Sequence, residues 1–239
     1  MENIKSNTIY FKEGLVDALP IWLSFFFMFS SLGSLCHESQ LNNINTLLMT
    51  MLIFAAPAQL ALIYAFKQDV NVLYITFVVF VINFRFLLNS AVLAPYFKKS
   101  KAIHSIIAMF MFSASTFTVA YTKYKSENMM HGHIAYFYGV AIPSYIFACL
   151  TTLFGYYFVK DITDTRIPLI FMIVMPLHFA ALTARRYPDI FAIVATVSGF
   201  LTMPFLQRLH LKFIELVYAL VIGVLFCALD ARKERAKNG

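Results

Sequence analysis

Apolar residues recur along this chain in eight blocks, and polar or charged residues separate one block from the next. Most of the blocks are about as long as the roughly 20 residues that an α-helix needs to cross a bilayer. The pattern predicts an all-α fold, a polytopic transmembrane helix bundle that occupies residues 1–239 as a single domain. The blocks run from 15 to 36, 46 to 66, 70 to 95, 102 to 122, 134 to 159, 167 to 184, 190 to 206 and 213 to 229.

The last three blocks are short, with 17 or 18 residues each. This length is the lower limit for a helix that crosses the hydrocarbon, so one of these blocks could be re-entrant or packed inside the bundle. We therefore expect about eight apolar segments, some of them broken or re-entrant.

Two blocks share a short pattern, "FAAPAQLAL" at 54–62 and "IVMPLHFAAL" at 173–182. A proline within a span removes a backbone hydrogen bond and clashes with the previous turn, so Pro57 and Pro176 are predicted helix breaks. They lie about half a chain apart, which fits a transporter that is built from repeats and binds its solute at the interrupted helices. Four blocks in each half would make the repeats parallel, although a match this short can also arise by coincidence.

The amino-acid composition indicates whether the protein lies in water or in a membrane. The chain is 60% hydrophobic and only 13% charged, against about 45–50% apolar and about 25% charged in an average soluble domain. This balance predicts a membrane protein in contact with lipid. The net charge of +7 comes from basic residues in loops and tails rather than in a stripe between exposed aromatics, so no nucleic acid is expected as a partner.

The basic residues also predict an orientation. If all eight blocks cross, the two termini and three alternate loops carry eleven Lys and Arg residues, against seven in the other loops. Because basic loops favour the cytoplasm, we expect both termini on the cytoplasmic side of the inner (plasma) membrane. Lys98, Lys99 and Lys101 fall on the wrong side in this arrangement, and they would be explained better if one earlier block did not cross.

Catalytic and metal-binding motifs are absent from the sequence. Cys36, Cys149 and Cys227 lie far apart inside apolar blocks, without the spacing of a zinc or redox site, so we expect no cofactor and no metal. The chain also lacks H-E-x-x-H, G-x-S-x-G and paired aspartates within spans. We therefore do not expect an enzyme.

The third block places a permanent charge, Arg85, inside an apolar segment. An arginine at mid-span costs roughly 2.5–3.5 kcal/mol on insertion scales and cannot shed its proton. Helical side chains lean toward the amino terminus, so Arg85 leans away from the interface that Tyr96 and Lys98 mark about 16 Å downstream. We favour a binding or bundle-organising role over snorkelling, and we predict that Arg85 anchors a substrate carboxylate.

Other polar groups near mid-span are candidates for hydrogen bonds to the same substrate. Asn83 and Ser90 share one helical face, while Arg85 and Asn89 share another, so this helix is either buried or broken near Asn83. Gln59 lies beside small residues that could equally serve helix packing, and the hydroxyls of "SASTFT" at 113–118 could bond to their own helix. The predicted substrate-binding residues are Arg85, Gln59, Asn83, Asn89, Ser113, Ser115 and Thr116.

His178 is the only histidine deep in a predicted span, and no aspartate or glutamate lies at mid-span. His178 is therefore the candidate for proton coupling, with a packing role as the alternative.

The stretches "FKEGLVDALPI", "FAAPAQLAL", "NFRFLLNSAVLAP" and "IPLIFMIVMPL" follow one another along nearly the whole chain. With them the sequence resembles the AzlC family, the large subunits of branched-chain amino acid exporters. The resemblance implies a polytopic inner-membrane subunit that exports hydrophobic amino acids such as valine, leucine, isoleucine or methionine. It also implies a small AzlD-like membrane subunit as a partner.

Two departures from the family pattern affect this expectation. Phe86 stands where the family usually has histidine, and Ala114 and Ser115 stand where it usually has an acidic pair. Proton coupling or recognition of the substrate ammonium could depend on those carboxylates. The alternatives are therefore a non-transporting membrane scaffold subunit and a transporter of a different small solute.

Overall fold

A computed structural model describes residues 6–67, 71–98, 100–126, 131–160 and 190–207, together with single residues and short stretches between 173 and 229. The chain divides into two compact units, Met1–Met175 and Pro176–Gly239. The described residues form helices and the turns between them, and no strand occurs among them. The predicted all-α fold class is confirmed.

The helices follow the apolar blocks, except that two blocks are each split into a pair of shorter helices. Large parts of blocks six and eight lie outside the described residues. The first unit contains α1 (Asn7–Asp17), α2 (Leu19–Glu38), α3 (Asn43–Leu52), α4 (Ala56–Lys67), α5 (Val72–Phe97), α6 (Ala102–Phe110), α7 (Ala114–Ser126) and α8 (His133–Lys160), and the second unit contains α9 (Ile190–Gln207).

Polar side chains in the turns determine where two of these helices begin. The Asn42 side chain accepts a hydrogen bond from the amide of Asn45 at 2.7 Å, which caps α3. Asn71 accepts from the amide of Leu73 at 2.8 Å, which caps α5. Such caps satisfy amides that have no partner within the helix.

α1 and α2 together pack along α8 and run in the same direction as α8. Four glycines make this approach possible, because a Cβ atom on any of them would overlap a backbone carbonyl oxygen of the facing helix. In each case the carbonyl lies three residues before the glycine of the facing helix, so the glycines oppose each other in two pairs, Gly14 with Gly139 and Gly33 with Gly155. The contacts between glycine and carbonyl are Gly14 with Tyr136, Gly139 with Phe11, Gly33 with Thr152, and Gly155 with Ser30.

This parallel packing defines two sides of the first unit. We call the side where α2 and α8 begin the first side, and the side where they end the second side. α5 runs in the opposite direction, because its last residues contact the start of α8. The Phe97 ring lies 5.4 Å from that of Phe137, and the Tyr96 ring lies 5.3 Å from His133. α5 therefore begins on the second side and ends on the first.

α3 and α4 form a hairpin that enters from the second side and returns to it. Asn43, at the start of α3, donates to the hydroxyl of Tyr157 near the end of α8 at 2.6 Å. The pair is interrupted at residues 53–55. α4 ends at Lys67, only a short connection before α5 begins on the second side. We call α3 and α4 hairpin one.

α6 and α7 form a second hairpin, which enters from the first side and returns to it. Near the start of α6, the Tyr138 hydroxyl of α8 donates to the carbonyl of His104 at 2.7 Å. Near the end of α7, the Tyr124 hydroxyl donates to the carbonyl of His133 at 2.5 Å. The interruption lies at residues 111–113. We call α6 and α7 hairpin two.

These contacts correct the expectation that blocks two and four cross the membrane. Both blocks are long enough to cross, but each is broken near its middle and reverses there. Their halves of 9 to 13 residues are too short to span hydrocarbon about 30 Å thick. In the described part of the chain, the helices long and apolar enough to cross are α2, α5 and α8. Re-entrant segments were expected among the last three blocks, and large parts of blocks six and eight lie outside the described residues. Among the described residues, the blocks whose helices are interrupted near the middle are blocks two and four.

The hairpins also arrange the first unit in two similar parts of opposite direction. α2 followed by hairpin one has the same order of elements as α5 followed by hairpin two. One part enters from the first side and the other from the second. The repeat expected from Pro57 and Pro176 was parallel, and Pro176 lies outside the described residues.

Candidate functional site

The interruption of hairpin one is stabilised by the side chain of Gln59. Pro57 lies in the first turn of α4, where its missing N–H costs nothing and its fixed φ suits the helix. The Gln59 Nε2 donates to the carbonyl of Ile53, inside the interruption, and its Oε1 accepts from the hydroxyl of Thr50 at 3.2 Å. Gln59 is fully buried. Its amide therefore joins the end of α3 to the start of α4.

The interruption of hairpin two ends in a capping box. The Ser113 hydroxyl accepts from the amide of Thr116 at 3.1 Å, and the Thr116 hydroxyl accepts from the amide of Ser113 at 2.9 Å. Reciprocal bonds of this kind satisfy two amides at the start of a helix. Thr118 instead donates to the carbonyl of Ala114 at 2.8 Å, within its own helix. Ser115 is half-buried and has no side-chain hydrogen bond among the described residues.

Both interruptions lie at the depth of Asn83 and Arg85 on α5. Counted from the second side, Ala56 is 11 residues from the end of α4, and Asn83 is 11 residues from the start of α5. Counted from the first side, Ala114 is 12 residues from the start of α6, and Arg85 is 12 from the end of α5. At 1.5 Å per residue each depth is about 16–18 Å, roughly the middle of a bilayer.

Side-chain contacts support this count for hairpin two. The Phe86 ring on α5 lies 5.9 Å from the ring of Phe112 in the interruption. One turn further along α5, the Ser90 hydroxyl lies 3.2 Å from the sulfur of Met109 on α6. α5 and α6 are therefore antiparallel neighbours, and Arg85 lies at the level of the interruption.

Arg85 is exposed on the flank of α5, between the face that packs on the unit and the face that does not. Its Cζ lies 5.0 Å from the ring centroid of Phe86, a cation–π contact. Among the described residues, no carboxylate lies within ion-pair distance of the guanidinium. The described part of the first unit thus provides no counter-ion for the charge of Arg85.

The asparagines of α5 differ in their surroundings. The Asn83 Oδ1 is buried and has no hydrogen-bond partner. Asn89 is half-buried and makes no side-chain hydrogen bond in the part of the chain that the structure describes. α5 is one continuous helix, so the expected alternative of a break near Asn83 is wrong.

A family model described as AzlC protein matches residues 20–162, which is more than half of the chain. The chain belongs to the AzlC family. The matched residues contain both interruptions and all of α5, so the AzlC region coincides with the helices that build this site. Comparison with curated proteins and with solved structures finds no match.

Membership of the AzlC family identifies the chain as a transport-related membrane subunit of a kind that generally works with a small partner. The predicted residues Arg85, Asn83 and Ser115 lie at one depth, near the two interruptions. Pro176 and His178 lie outside the described residues. In the described part of this AzlC chain, no three His, Cys, Asp or Glu side chains are placed to hold a metal ion.

Several buried hydroxyls on α2, α3 and α8 were not predicted from the sequence. The Thr50 hydroxyl, on α3, lies 3.3 Å from the hydroxyl of Thr152 on α8, and both residues are fully buried. On α2, the hydroxyls of Ser30 and Ser34 are buried without a hydrogen-bond partner. The available signal was the unusual number of hydroxyl residues in "SSLGS" at 30–34 and "TT" at 151–152 within apolar blocks.

Proposed function

We propose that this AzlC chain is the large subunit of an exporter for branched-chain or similar hydrophobic amino acids, and that Arg85 binds the substrate carboxylate. The observation that carries the proposal is that Arg85, at the depth of the two interruptions, has no carboxylate partner among the described residues. An intramembrane cation is costly unless something compensates it. A substrate carboxylate supplies the missing charge, and a planar guanidinium binds it with two parallel hydrogen bonds.

The helix ends add to this positive region. α4 and α7 both begin at an interruption, and the start of a helix carries a partial positive charge and amides without intrahelical partners. Transporters with discontinuous helices use such ends to bind anionic groups of a substrate. The arrangement favours a carboxylate at the depth of Arg85.

The remaining candidates divide into two roles. The Asn83 Oδ1 is a buried acceptor without a donor, and a substrate ammonium is a suitable donor for it, with Asn89 and Ser115 as further contacts. Gln59, Ser113 and Thr116 use their polar atoms to hold the two interruptions. We therefore assign these three to the support of the site. His178 stays our candidate for proton coupling.

The partner is a small AzlD-like membrane subunit. Within the first unit α5 buries only Leu93 and Phe97, and large apolar side chains occupy the opposite face. A subunit against that face, with lipid around it, would also remove the flank of Arg85 from hydrocarbon. The exposed apolar residues of this face include Leu73, Phe80, Phe84 and Leu88.

The two hairpins support a cytoplasmic first side in the plasma membrane. Since block two returns to the second side, the lysines after α5 fall on the same side as the start of α2. Lys12, Lys98, Lys101, Lys123 and Lys125 then lie on the first side, against Lys67 and Lys160 on the second. This bias is what cytoplasmic loops show, and it supports a cytoplasmic amino terminus.

The test uses inside-out membrane vesicles from cells that co-express the chain with its AzlD-like subunit. We expect the wild type to accumulate labelled leucine, while Arg85→Lys and Arg85→Ala bind it about tenfold to hundredfold more weakly. That range corresponds to losing about 1.5–3 kcal/mol of charge-assisted hydrogen bonding. Leucine amide should compete poorly. Lys101→Ala, which removes a charge outside the spans, is the matched control and should transport normally.

Normal leucine binding by Arg85→Ala would refute the role of Arg85. If this variant inserts but does not assemble with the partner, the arginine organises the bundle, and the scaffold alternative is favoured. If the wild type transports another solute but no hydrophobic amino acid, the substrate assignment is wrong.

A further inference from the structure

The side-chain oxygens of Thr50, Gln59 and Thr152 lie together beside hairpin one. They have more acceptor positions than hydroxyl protons to donate. The Thr50 hydroxyl lies 3.2 Å from the Gln59 Oε1, 3.3 Å from the Thr152 hydroxyl and 3.3 Å from the carbonyl of Thr46. The Thr152 hydroxyl donates its own proton to the carbonyl of Ala148 at 2.8 Å. The single proton of Thr50 therefore faces three acceptors.

The orientation of the Gln59 amide is determined by its other contact. Its second polar atom faces the carbonyl of Ile53, which can only accept, so that atom is the nitrogen. The oxygen must then face Thr50. Gln59, Thr50 and Thr152 are all fully buried, so the group keeps lone pairs that one proton cannot fill at once, in an interior where electrostatic interactions are strong.

The distances from the Thr50 hydroxyl to the Gln59 Oε1 and to the Thr152 hydroxyl are close to the spacing between neighbouring ligands of a cation. Hydroxyl hydrogen bonds are most often 2.7–2.8 Å long, whereas the three contacts of Thr50 are 3.2–3.3 Å. Oxygens that hold a hard cation at about 2.3–2.6 Å, at right angles to one another, lie about 3.3–3.7 Å apart. The group is thus too open for strong hydrogen bonds and close to the geometry of an ion site.

A further feature of the fold adds to the negative potential there. Thr50 lies in the last turn of α3, and the end of a helix carries a partial negative charge. Hydroxyls, unwound carbonyls and helix ends of this kind coordinate sodium in transporters with broken helices.

We propose that Thr50, Gln59 and Thr152 form a binding site for a sodium ion between hairpin one and α8. The ligands are neutral oxygens, which suits a monovalent cation better than a divalent one that requires carboxylates. If the transport proposal holds, this site would make sodium a coupling ion beside the proton for which His178 is the candidate, in a chain whose sequence has no mid-span carboxylate. Ion binding itself does not depend on that proposal.

The experiment measures thermal unfolding of the purified chain, with its partner subunit where one is needed, in NaCl, KCl or choline chloride at equal ionic strength. A ligand that binds only the folded state raises the Tm as its concentration rises. We expect Na⁺, but not K⁺ or choline, to raise the Tm of the wild type. Thr50→Val and Thr152→Val should lose this shift. Thr151→Val should keep it, because that hydroxyl bonds to carbonyls of its own helix.

The same Tm in all three salts, or equal stabilisation by Na⁺ and K⁺, would overturn the sodium site. So would a sodium shift that persists in both Thr50→Val and Thr152→Val. Should those variants fail to fold, binding of radioactive sodium to the wild type decides, with the expectation that excess Na⁺ displaces it and excess K⁺ does not. Because no amino acid is present, failure of the transport proposal leaves this result unchanged.

Discussion

Replacing Gly33 by alanine tests the close approach of α2 and α8 most directly. The added Cβ would overlap the carbonyl oxygen of Thr152 and would also lie 2.8 Å from the amide nitrogen of Tyr156. Both neighbours are backbone atoms of a helix, so neither can rotate away. The two helices must move apart, and the neighbouring contact of Gly155 with Ser30 opens with them.

The expected cost follows from two opposing terms. Overpacking a tight contact costs typically about 1–3 kcal/mol, and rigid backbone neighbours favour the upper end of this range. Alanine gains about 1 kcal/mol over glycine through helix propensity. Gly199→Ala in α9 isolates that gain, because nothing lies within 4 Å of a Cβ there. The stabilities of the two variants should thus differ by about 1–3 kcal/mol.

Trp22 provides the measurement, because it is the only tryptophan of the chain and lies at this helix pair. Its indole N–H donates to the Ser144 hydroxyl at 3.2 Å, and its ring stacks on Phe147 at 5.6 Å. We expect Gly33→Ala to shift the Trp22 emission and to unfold in detergent at a lower temperature than Gly199→Ala. A change of 1 kcal/mol corresponds to about 2–4 °C in domains of this size.

Equal stability of the two alanine variants, with unchanged Trp22 emission, would refute the reasoning. The double variant Gly33→Ala with Gly155→Ala is a second check. Once the first methyl has separated the helices, the second should cost less than it does alone, since neighbouring sites are not additive.

Two further predictions concern the helix ends. Ser113→Ala should destabilise the chain by about 0.5–2 kcal/mol through loss of the α7 cap, whereas Thr118→Ala should be nearly neutral, as thermal unfolding of both can show. Asp17→Asn should cost under about 1 kcal/mol, because its ion pair with Lys123, at 3.5 Å, is partly exposed and an asparagine oxygen can still accept from the Tyr136 hydroxyl, which donates to Asp17 at 2.7 Å. Unfolding in high salt checks this, since screening should reduce the difference from wild type.

The sequence predicted the helical fold well because hydrophobic length is a local property. The sequence predicted the paths of blocks two and four poorly. A block that crosses the membrane and a block that reverses within it can have the same length and the same apolar composition. Pro57 indicated the first interruption, which lies directly before it. The second had an overlooked signal, since Ser113 and Thr116 have the spacing of a capping box.

The sequence predicted a site residue only where placing that residue within a membrane span has an energetic cost whatever surrounds it. Arg85 was conspicuous because a charge within a span needs an explanation whatever surrounds it. The role of Gln59 in joining α3 to α4 required the path of the backbone at Ile53. Thr50 and Thr152 were missed because they are 102 residues apart and each alone resembles an ordinary helical hydroxyl. Only the fold brings them together.

The four glycines between α1, α2 and α8 also have a genetic consequence. A side chain that clashes with another side chain can be rescued by a smaller residue opposite it, and paired changes of this kind leave correlated substitutions among homologues. Here the facing atoms are the carbonyl oxygens of Phe11, Ser30, Tyr136 and Thr152, which every residue type carries. No second-site substitution opposite Gly33 can therefore suppress Gly33→Ala by making room for it. The contact of α1 and α2 with α8 should therefore be one that covariation does not detect.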